Sequence, residues 1–169
     1  MKRIISGGQT GVDRGALDAA LSLGFQCGGW CPEGRLAEDG VIDARYPLRE
    51  LPGGAYADRT RANVRDSDGT LIIHFGELSG GTLFTLDECR RQGRARELID
   101  GSVLDVHQAV DVAKKFVELA GIEVLNVAGP RESGSPGAAR YAFDVVHGLL
   151  VWKEAHGPTP SGSASSSAP

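Results

Sequence analysis

Short apolar runs alternate with helical patterns over residues 1–156. Apolar residues at positions 16, 17, 20 and 21, for example, recur with the spacing of one helix face. The short apolar runs predict strands over residues 2–6, 26–30, 70–75, 96–99 and 122–128. The helical patterns predict helices over residues 12–23, 55–66, 82–92, 106–120 and 138–153. Residues 31–54 are rich in Gly, Pro and charge, which predicts irregular structure.

Alternation of strands and helices is typical of an α/β fold, with a mostly parallel sheet covered by helices on both faces. Three of the predicted helices end at Gly24, Gly93 and Gly121, where a glycine can adopt the left-handed conformation that closes a helix. Asp105 is placed to cap the fourth helix. Ligands of such sheets bind outside the carboxyl ends of the strands, so the loops that follow strands are the candidate sites.

Composition and charge exclude several classes of protein. The 169 residues suit one domain. The 18 Lys and Arg against 22 Asp and Glu give a net charge of −4, which argues against nucleic-acid binding through a broad basic face. No apolar run approaches the roughly 20 residues of a membrane span. Three cysteines, an odd number, and the lack of a secretory signal pattern predict a cytoplasmic protein.

The end of the chain differs in composition from the rest. Residues 157–169 hold five Ser, three Pro, two Gly, two Ala and one Thr, and none of these can form a core. The sequence therefore predicts one domain over residues 1–156, followed by a disordered tail over residues 157–169.

The first candidate loop, residues 6–15, is unusually rich in glycine. Glycines allow close approach of the backbone to a ligand, and the following helix offers free N–H groups and a partial positive charge. Together these features favour an anion site, typically for phosphate. Two familiar motifs do not fit, because Ser6 replaces the first glycine of a dinucleotide fingerprint and no P-loop lysine is present. A tight turn with a capped helix is the plainer interpretation.

Two further loops have similar chemistry. Residues 79–82 (Ser-Gly-Gly-Thr) follow the strand at 70–75, and helix capping would also explain them. Residues 128–135 follow the strand at 122–128, and their Arg131 can bind a phosphate or carboxylate with two N–H groups. All three loops would lie at one edge of a parallel sheet, so the sequence predicts one extended cleft for a phosphorylated small molecule.

Several residues outside the three loops could bind a ligand or have a structural role. Arg59 and Asn63 lie four residues apart on one helix face, where they and Thr60 could line the cleft. Trp30 follows the second strand and is either a packing residue or a surface for stacking a ring. Glu38, Asp39 and Asp43 are interpreted as solvated charges rather than acid–base groups. The scattered Cys and His residues do not have the spacing of a structural metal site.

The order of these motifs resembles the molybdenum cofactor carrier family. The longest matching segments are residues 5–16 (Ile-Ser-Gly-Gly-Gln-Thr-Gly-Val-Asp-Arg-Gly-Ala) and 126–133 (Asn-Val-Ala-Gly-Pro-Arg-Glu-Ser). Shorter matches lie at residues 29–32, 34–35, 37–40, 46–48, 59–60, 63–64, 67–72 and 79–82. The resemblance covers nearly all of residues 1–156 and stops before the tail.

The resemblance implies a Rossmann-like fold and a ligand, molybdenum cofactor (molybdopterin), which is a pyranopterin dithiolene with a terminal phosphate. It implies that the protein binds, protects or delivers this cofactor, with molybdoenzymes or cofactor-synthesis proteins as partners. We also expect a homo-oligomer, no nucleic acid, no membrane and no structural metal. The expected ligand-binding residues are Gly7, Gly8, Gln9, Thr10, Gly11, Asp13, Arg14, Trp30, Arg59, Thr60, Asn63, Ser79, Gly80, Gly81, Thr82, Gly129, Pro130, Arg131 and Ser133.

The chain departs from the related phosphoribohydrolases at one motif. Those enzymes carry P-G-G-x-G-T-x-x-E, whose Glu serves hydrolysis of an N-glycosidic bond. Here Thr82 follows the two glycines directly, and Thr85 stands where the Glu would be. The missing carboxylate favours a binding protein over an enzyme. Two alternatives stay open: a hydrolase of nucleoside monophosphates and a nucleotide-sensing module.

Overall fold

The structure is a computed structural model and describes residues 1–156; the predicted tail at 157–169 lies outside the described residues. A five-stranded sheet forms its centre. Its strands are β1 (Arg3–Ile5), β2 (Cys27–Gly28), β7 (Gly69–His74), β8 (Ala95–Asp100) and β9 (Val124–Ala128). They lie in the order β2-β1-β9-β7-β8, and all four pairings are parallel. The predicted parallel sheet is therefore confirmed.

Helices cover both faces of this sheet. On one face lie α1 (Val12–Ser22), α4 (Val106–Leu119) and α5 (Ala138–His156), and on the other lie α2 (Tyr56–Arg65) and α3 (Gly80–Arg91). Strand β7 shows why both faces are covered: Leu71 and Ile73 pack with α4 and α5, whereas Ile72 packs with α2 and α3. The Rossmann-like three-layer α/β fold is thus confirmed. None of the described helices is long and apolar enough to cross a membrane.

The segment predicted to be irregular contains short strands. Strands β3 (Trp30–Pro32) and β6 (Arg49–Leu51) pair in parallel, and β4 (Leu36–Ala37) pairs with β5 (Gly40–Val41) as a hairpin. A 3-10 turn at Glu33–Arg35 joins β3 to β4. The predicted strand at 26–30 is split at Gly29, whose φ of 132° separates β2 from β3. Strands of two or three residues are too short to produce a readable alternation in the sequence.

The predicted helix ends are confirmed. Gly24, Gly93 and Gly121 all have φ between 62° and 63°, the left-handed conformation that glycine adopts without strain. The Asp105 carboxylate accepts a hydrogen bond from the Gln108 backbone N–H at 2.9 Å, and the Gln108 side chain accepts one from the Asp105 N–H at 3.0 Å. This reciprocal pair fixes the start of α4.

The apolar face of α5 is used inside the chain. Its Ala142, Val145, Val146, Leu149 and Leu150 are fully buried between α1, α4 and the sheet. These residues therefore belong to the core, and they do not themselves predict a contact between subunits.

Helices α1 and α5 pack closely because α1 carries a glycine where they meet. A Cβ atom at Gly15 would lie 2.2 Å from the carbonyl oxygen of Ala139 on α5. At Gly81 on α3, by contrast, a Cβ atom would meet nothing within 4 Å. Substitution of these two helical glycines by alanine therefore tests the same change at a crowded position and at an open one.

We expect Gly15→Ala to destabilise the protein by about 1–3 kcal/mol, because the added methyl group overpacks the α1–α5 contact. Gly81→Ala should instead raise stability by up to about 1 kcal/mol, since alanine is the better helix former. Urea unfolding of both variants measures the difference. Equal effects would show that close approach of the two helices does not constrain residue 15.

Candidate ligand-binding cleft

A cleft of about 510 Å³ lies at the carboxyl ends of β1, β9 and β7. The three loops predicted to converge all reach it: residues 6–11 after β1, residues 75–79 after β7 and residues 129–137 after β9. They converge because the three strands are adjacent and parallel, so their carboxyl ends meet at one edge. Thirteen of the predicted residues line the cleft, namely Gly7, Gln9, Asp13, Arg59, Thr60, Asn63, Ser79, Gly80, Gly81, Thr82, Gly129, Pro130 and Arg131.

A buried ion pair joins two sides of the cleft. Arg59 Nη1 on α2 donates to Asp13 Oδ2 on α1 at 2.7 Å, and the side chains are only 14% and 5% exposed. The Gln9 backbone N–H also donates to this carboxylate, at 3.2 Å. The Nε atom of Arg59 is buried and has no hydrogen-bond partner among residues 1–156. The pair therefore fixes Arg59 at the cleft wall and leaves its buried Nε without a partner in the described chain.

Gly7 makes room for this arginine. A Cβ atom at Gly7 would lie 1.3 Å from Arg59 Nη1, so only glycine permits the guanidinium to lie against the backbone of the first loop. The sequence analysis assigned Gly7 to the approach of a ligand. In the structure, a side chain of the protein takes that space.

Two asparagines form part of the cleft. Asn63 on α2 accepts from the Trp30 N–H at 2.9 Å and donates to the Trp30 carbonyl at 3.0 Å, which ties α2 to β3. Asn126 on β9 donates its amide N–H to Thr70 Oγ1 at 3.2 Å, and its amide oxygen accepts no hydrogen bond from residues 1–156. Asn126 is a cleft residue that was not among the predicted ligand-binding residues. Its signal is a polar residue within the apolar run Ile-Glu-Val-Leu-Asn-Val-Ala at 122–128.

The N-terminus of α3 opens into the cleft. Ser79 is its N-cap residue, but no side chain of the described residues caps the helix there. Gly80 and Gly81 follow, and a Cβ atom on either would meet nothing within 4 Å. The first N–H groups of α3 and its partial positive charge are thus available to an anion. Helix capping by Ser79, the plainer interpretation of this loop, does not occur.

The N-termini of α1 and α5 have partners within the chain. The Val12 N–H of α1 donates to the Pro130 carbonyl at 3.2 Å. At α5, Glu132 accepts from the N–H groups of Gly137 at 2.5 Å and Ala139 at 2.9 Å. A carboxylate of the protein therefore occupies the position at α5 that a ligand anion would take.

Six predicted residues lie outside the lining of the cleft: Gly8, Thr10, Gly11, Arg14, Trp30 and Ser133. Arg14 forms a salt bridge with Asp39 and donates to the Gly8 carbonyl at 3.1 Å, so its charge is already paired. Trp30 donates its indole N–H to Asp66 Oδ2 at 2.7 Å and does not face the cleft.

The glycines of the first loop serve packing. A Cβ atom at Gly11 would lie 2.4 Å from the Pro130 carbonyl oxygen, and one at Gly8 would lie 2.3 Å from Leu48 Cδ1. Both residues also have φ of 77°, which disfavours any other residue. The structure thus gives these two glycines a role in bringing segments of the chain together.

Thr10 and Ser133 contact Glu38, an acidic residue of the β4–β5 turn. The Thr10 hydroxyl donates to Glu38 Oε1, and the Ser133 N–H donates to the same oxygen at 3.2 Å. Ser133 Oγ donates to Glu38 Oε2 at 2.5 Å. These hydrogen bonds, that of the Ser133 hydroxyl above all, hold the pKa of Glu38 below its usual value. Glu38 and Asp39 are exposed, as expected of solvated charges, but both also have hydrogen-bond partners in the chain.

His74 is a cleft residue that the sequence analysis did not single out. It ends β7, and its Nδ1 lies 2.8 Å from the Gly76 carbonyl oxygen and 4.0 Å from Asp100 Oδ2. Asp100 accepts from the Ser102 hydroxyl at 2.6 Å, the Gly76 N–H at 3.0 Å and the Ser102 N–H at 2.9 Å. These bonds lower the pKa of Asp100 to about 2.

Helix α3 brings no carboxylate into the cleft. Thr85, at the position of the hydrolase Glu, faces the cleft and donates its hydroxyl to the Gly81 carbonyl at 2.9 Å. Asp87 pairs with Arg90 at 3.1 Å, and Glu88 pairs with Arg91 at 2.6 Å. The carboxylates that do line the cleft are Asp13 and Glu77. Within residues 1–156, no group of three or more His, Cys, Asp or Glu is placed to hold a metal ion.

Comparison with known proteins gives the family. The model of the circularly permuted YpsA SLOG family matches residues 4–150. The chain belongs to this family. A crystal structure from Syntrophus aciditrophicus, described as a "putative molybdenum carrier protein", resembles this SLOG-family chain at 40% sequence identity and a TM-score of 0.86. The match covers 89% of this chain and 95% of that one. No curated protein matches. The family resemblance noted in the sequence is confirmed.

We expect Gly7→Ala to destabilise this SLOG-family domain by about 1–3 kcal/mol, because the methyl group displaces Arg59 from Asp13. A double-mutant cycle with Arg59→Ala, measured by urea unfolding, checks the cause. If Gly7→Ala acts through Arg59, the double variant should be about as stable as Arg59→Ala alone. Additive losses would contradict this explanation.

Asp100 should make the free energy of unfolding fall as the pH drops from about 4 towards 2. Its pKa of about 2 in the folded protein lies below the ordinary value of 3.8, so its contribution is present above about pH 4 and is lost as the pH falls towards 2. We expect Asp100→Asn to be less stable than the wild type at neutral pH, and the difference to shrink between pH 4 and pH 2. Chemical unfolding at several pH values measures it; a constant difference would assign the loss to another cause.

Proposed function

We propose that the cleft binds molybdenum cofactor, a phosphorylated pyranopterin, and that the protein holds it for protection or delivery. The observation that carries the proposal is the convergence of three strand-to-helix loops on one cleft that offers cationic and N–H donors at the same edge of the sheet. The name of the Syntrophus aciditrophicus relative, which is 40% identical, supports the choice of cofactor.

The donors of the cleft suit the anionic end of such a ligand. Arg131 lies at the rim with its side chain 59% exposed, so it can turn towards a phosphate and bind it with two N–H groups. The uncapped start of α3 at Gly80 and Gly81 offers the ligand a separate set of backbone N–H groups and a partial positive charge.

Polar groups of Asn126 and Arg59 in the cleft suit the pterin ring system at the other end of molybdenum cofactor. The amide oxygen of Asn126 and the buried Nε of Arg59 give one acceptor and one donor without a partner in the described chain. A pterin edge carries both ring N–H donors and nitrogen or carbonyl acceptors, so it can satisfy such groups. The cleft volume of about 510 Å³ lies within the usual range for small-molecule sites.

The deciding experiment is a retention assay. The purified protein is mixed with molybdenum cofactor, passed through a gel-filtration column and oxidised, so that bound cofactor becomes a fluorescent pterin. We expect near-stoichiometric pterin in the protein fraction, with molybdenum detected by mass spectrometry. An excess of adenosine monophosphate serves as a competitor. Absence of pterin would contradict the proposal, and full displacement by the nucleotide would favour a nucleotide-binding role.

We expect Arg131→Ala to weaken cofactor binding roughly tenfold to a hundredfold, because a charge-assisted hydrogen bond contributes about 1.5–3 kcal/mol. Arg140→Ala is the matched control: Arg140 lies on α5 outside the cleft lining and pairs with Asp144 at 2.8 Å. The dissociation constants of both variants are measured by the same assay. An affinity equal to that of the control would remove Arg131 from the site.

A further inference from the structure

The Glu38 carboxylate lies against residues that the sequence predicts to bind a phosphate. Thr10, Ser133 and Arg131 come from the loops after β1 and β9, and all three direct donors or positive charge at Glu38. The Arg131 Nη1 atom lies 3.8 Å from Glu38 Oε2. Two hydroxyl groups, one backbone N–H and one guanidinium thus surround a single carboxylate.

This set of donors is typical of an anion site rather than of an ordinary turn contact. Each donor would serve equally well for the oxygens of a phosphate, which has more acceptor positions and more charge than a carboxylate. The Glu38 side chain is 18% exposed, so solvent and small anions can reach it. The low pKa of Glu38 means that its charge is present throughout the neutral range.

The site adjoins the cleft. Arg131 lines the cleft and also faces Glu38. Gln9 does the same: it lines the cleft, and its side-chain oxygen accepts from the Glu38 N–H at 2.9 Å and from the Thr10 N–H at 3.0 Å. A ligand that lies in the cleft could therefore extend its anionic end past Arg131 to Thr10 and Ser133 once Glu38 has moved.

The hairpin that carries Glu38 is held mainly by polar contacts. Its cross-strand pair, Leu36 and Val41, is 51% and 70% exposed and contributes little burial. Asp39 pairs with Arg14, and Ala37 packs at the edge of a small cluster. Displacement of Glu38 would therefore cost polar contacts that a bound phosphate replaces, and it would disrupt little of the core.

We propose that Thr10, Ser133 and Arg131 form a phosphate-class anion site for which Glu38 and an external phosphate group compete. As the place where the ligand's terminal phosphate is received, the site rests on the proposed function; as an anion site, it can be tested alone. Competition lowers the apparent affinity by the fraction of molecules in which Glu38 leaves the site free. If that fraction is about one tenth, removal of Glu38 tightens binding about tenfold.

The test titrates inorganic phosphate into the whole protein and follows binding by phosphorus NMR and isothermal calorimetry. We expect Glu38→Ala to bind phosphate about tenfold more tightly than the wild type, and Glu38→Gln, which removes the charge and keeps the size, to bind it more tightly as well. Asp111→Asn is the control, since it removes an exposed carboxylate paired to Lys114 on α4 and leaves the contacts of the hairpin unchanged. Circular dichroism confirms that each variant is folded.

A second substitution tests whether the added phosphate affinity comes from the proposed site. In the Glu38→Ala background, Ser133→Ala should lose most of the added phosphate affinity, because it removes the hydroxyl that faces Glu38 Oε2. The proposal is overturned if folded Glu38→Ala and Glu38→Gln bind phosphate no better than the wild type, or if Asp111→Asn gives the same gain in phosphate affinity.

The cofactor assay separates this proposal from the proposed function. Tighter phosphate binding by Glu38→Ala without retention of cofactor would support the anion site and contradict the carrier role. Retention of cofactor with unchanged phosphate affinity in both Glu38 variants would support the carrier role and contradict the competition.

Discussion

The parallel pairing of β1, β9 and β7 is the constraint on which the rest of the structure depends. Because these strands are adjacent and point the same way, the loops that follow them reach one edge of the sheet. The helices that begin after those loops then direct their N-termini to the same region. The cleft is a consequence of this topology, and the side chains decide what it can bind.

Many of the N–H and hydroxyl groups that could bind an anion already donate to carbonyls and carboxylates of the same chain. Glu132 caps α5, and the Pro130 carbonyl accepts from the start of α1, whereas no side chain caps the start of α3, which lines the cleft. Glu38 occupies the donors of Thr10 and Ser133 in the same way. Donors of an empty site are satisfied by groups of the protein or by water, and here several of them have partners in the chain. An anion that binds at Thr10 and Ser133 would have to compete with Glu38 for those donors.

The loops were easier to predict than the residues that act in them. Thirteen of the nineteen predicted residues line the cleft, because loop composition and strand order are both visible in the sequence. Arg14 and Trp30 have the right chemistry but are paired with Asp39 and Asp66, residues 25 and 36 positions away. His74 and Asn126 were not predicted to line the cleft, because both lie in strands: His74 carries no motif, and Asn126 stands in the matching segment 126–133 before its loop begins. Pairing between distant segments cannot be inferred from local sequence.

The layered fold, the helix ends and the three loops could be predicted from the sequence alone, because periodicity, glycine positions and capping residues act over a few neighbouring residues. The sequence also indicated the family. Which donors are free depends on contacts that only the folded chain shows. These are the Arg59–Asp13 pair, the close contact of Arg59 with Gly7 and the hydrogen bonds to Glu38, and they join residues 28 to 95 positions apart. Whether a charge is available to a ligand depends on its neighbours in space, and those are set by the packing of the whole chain.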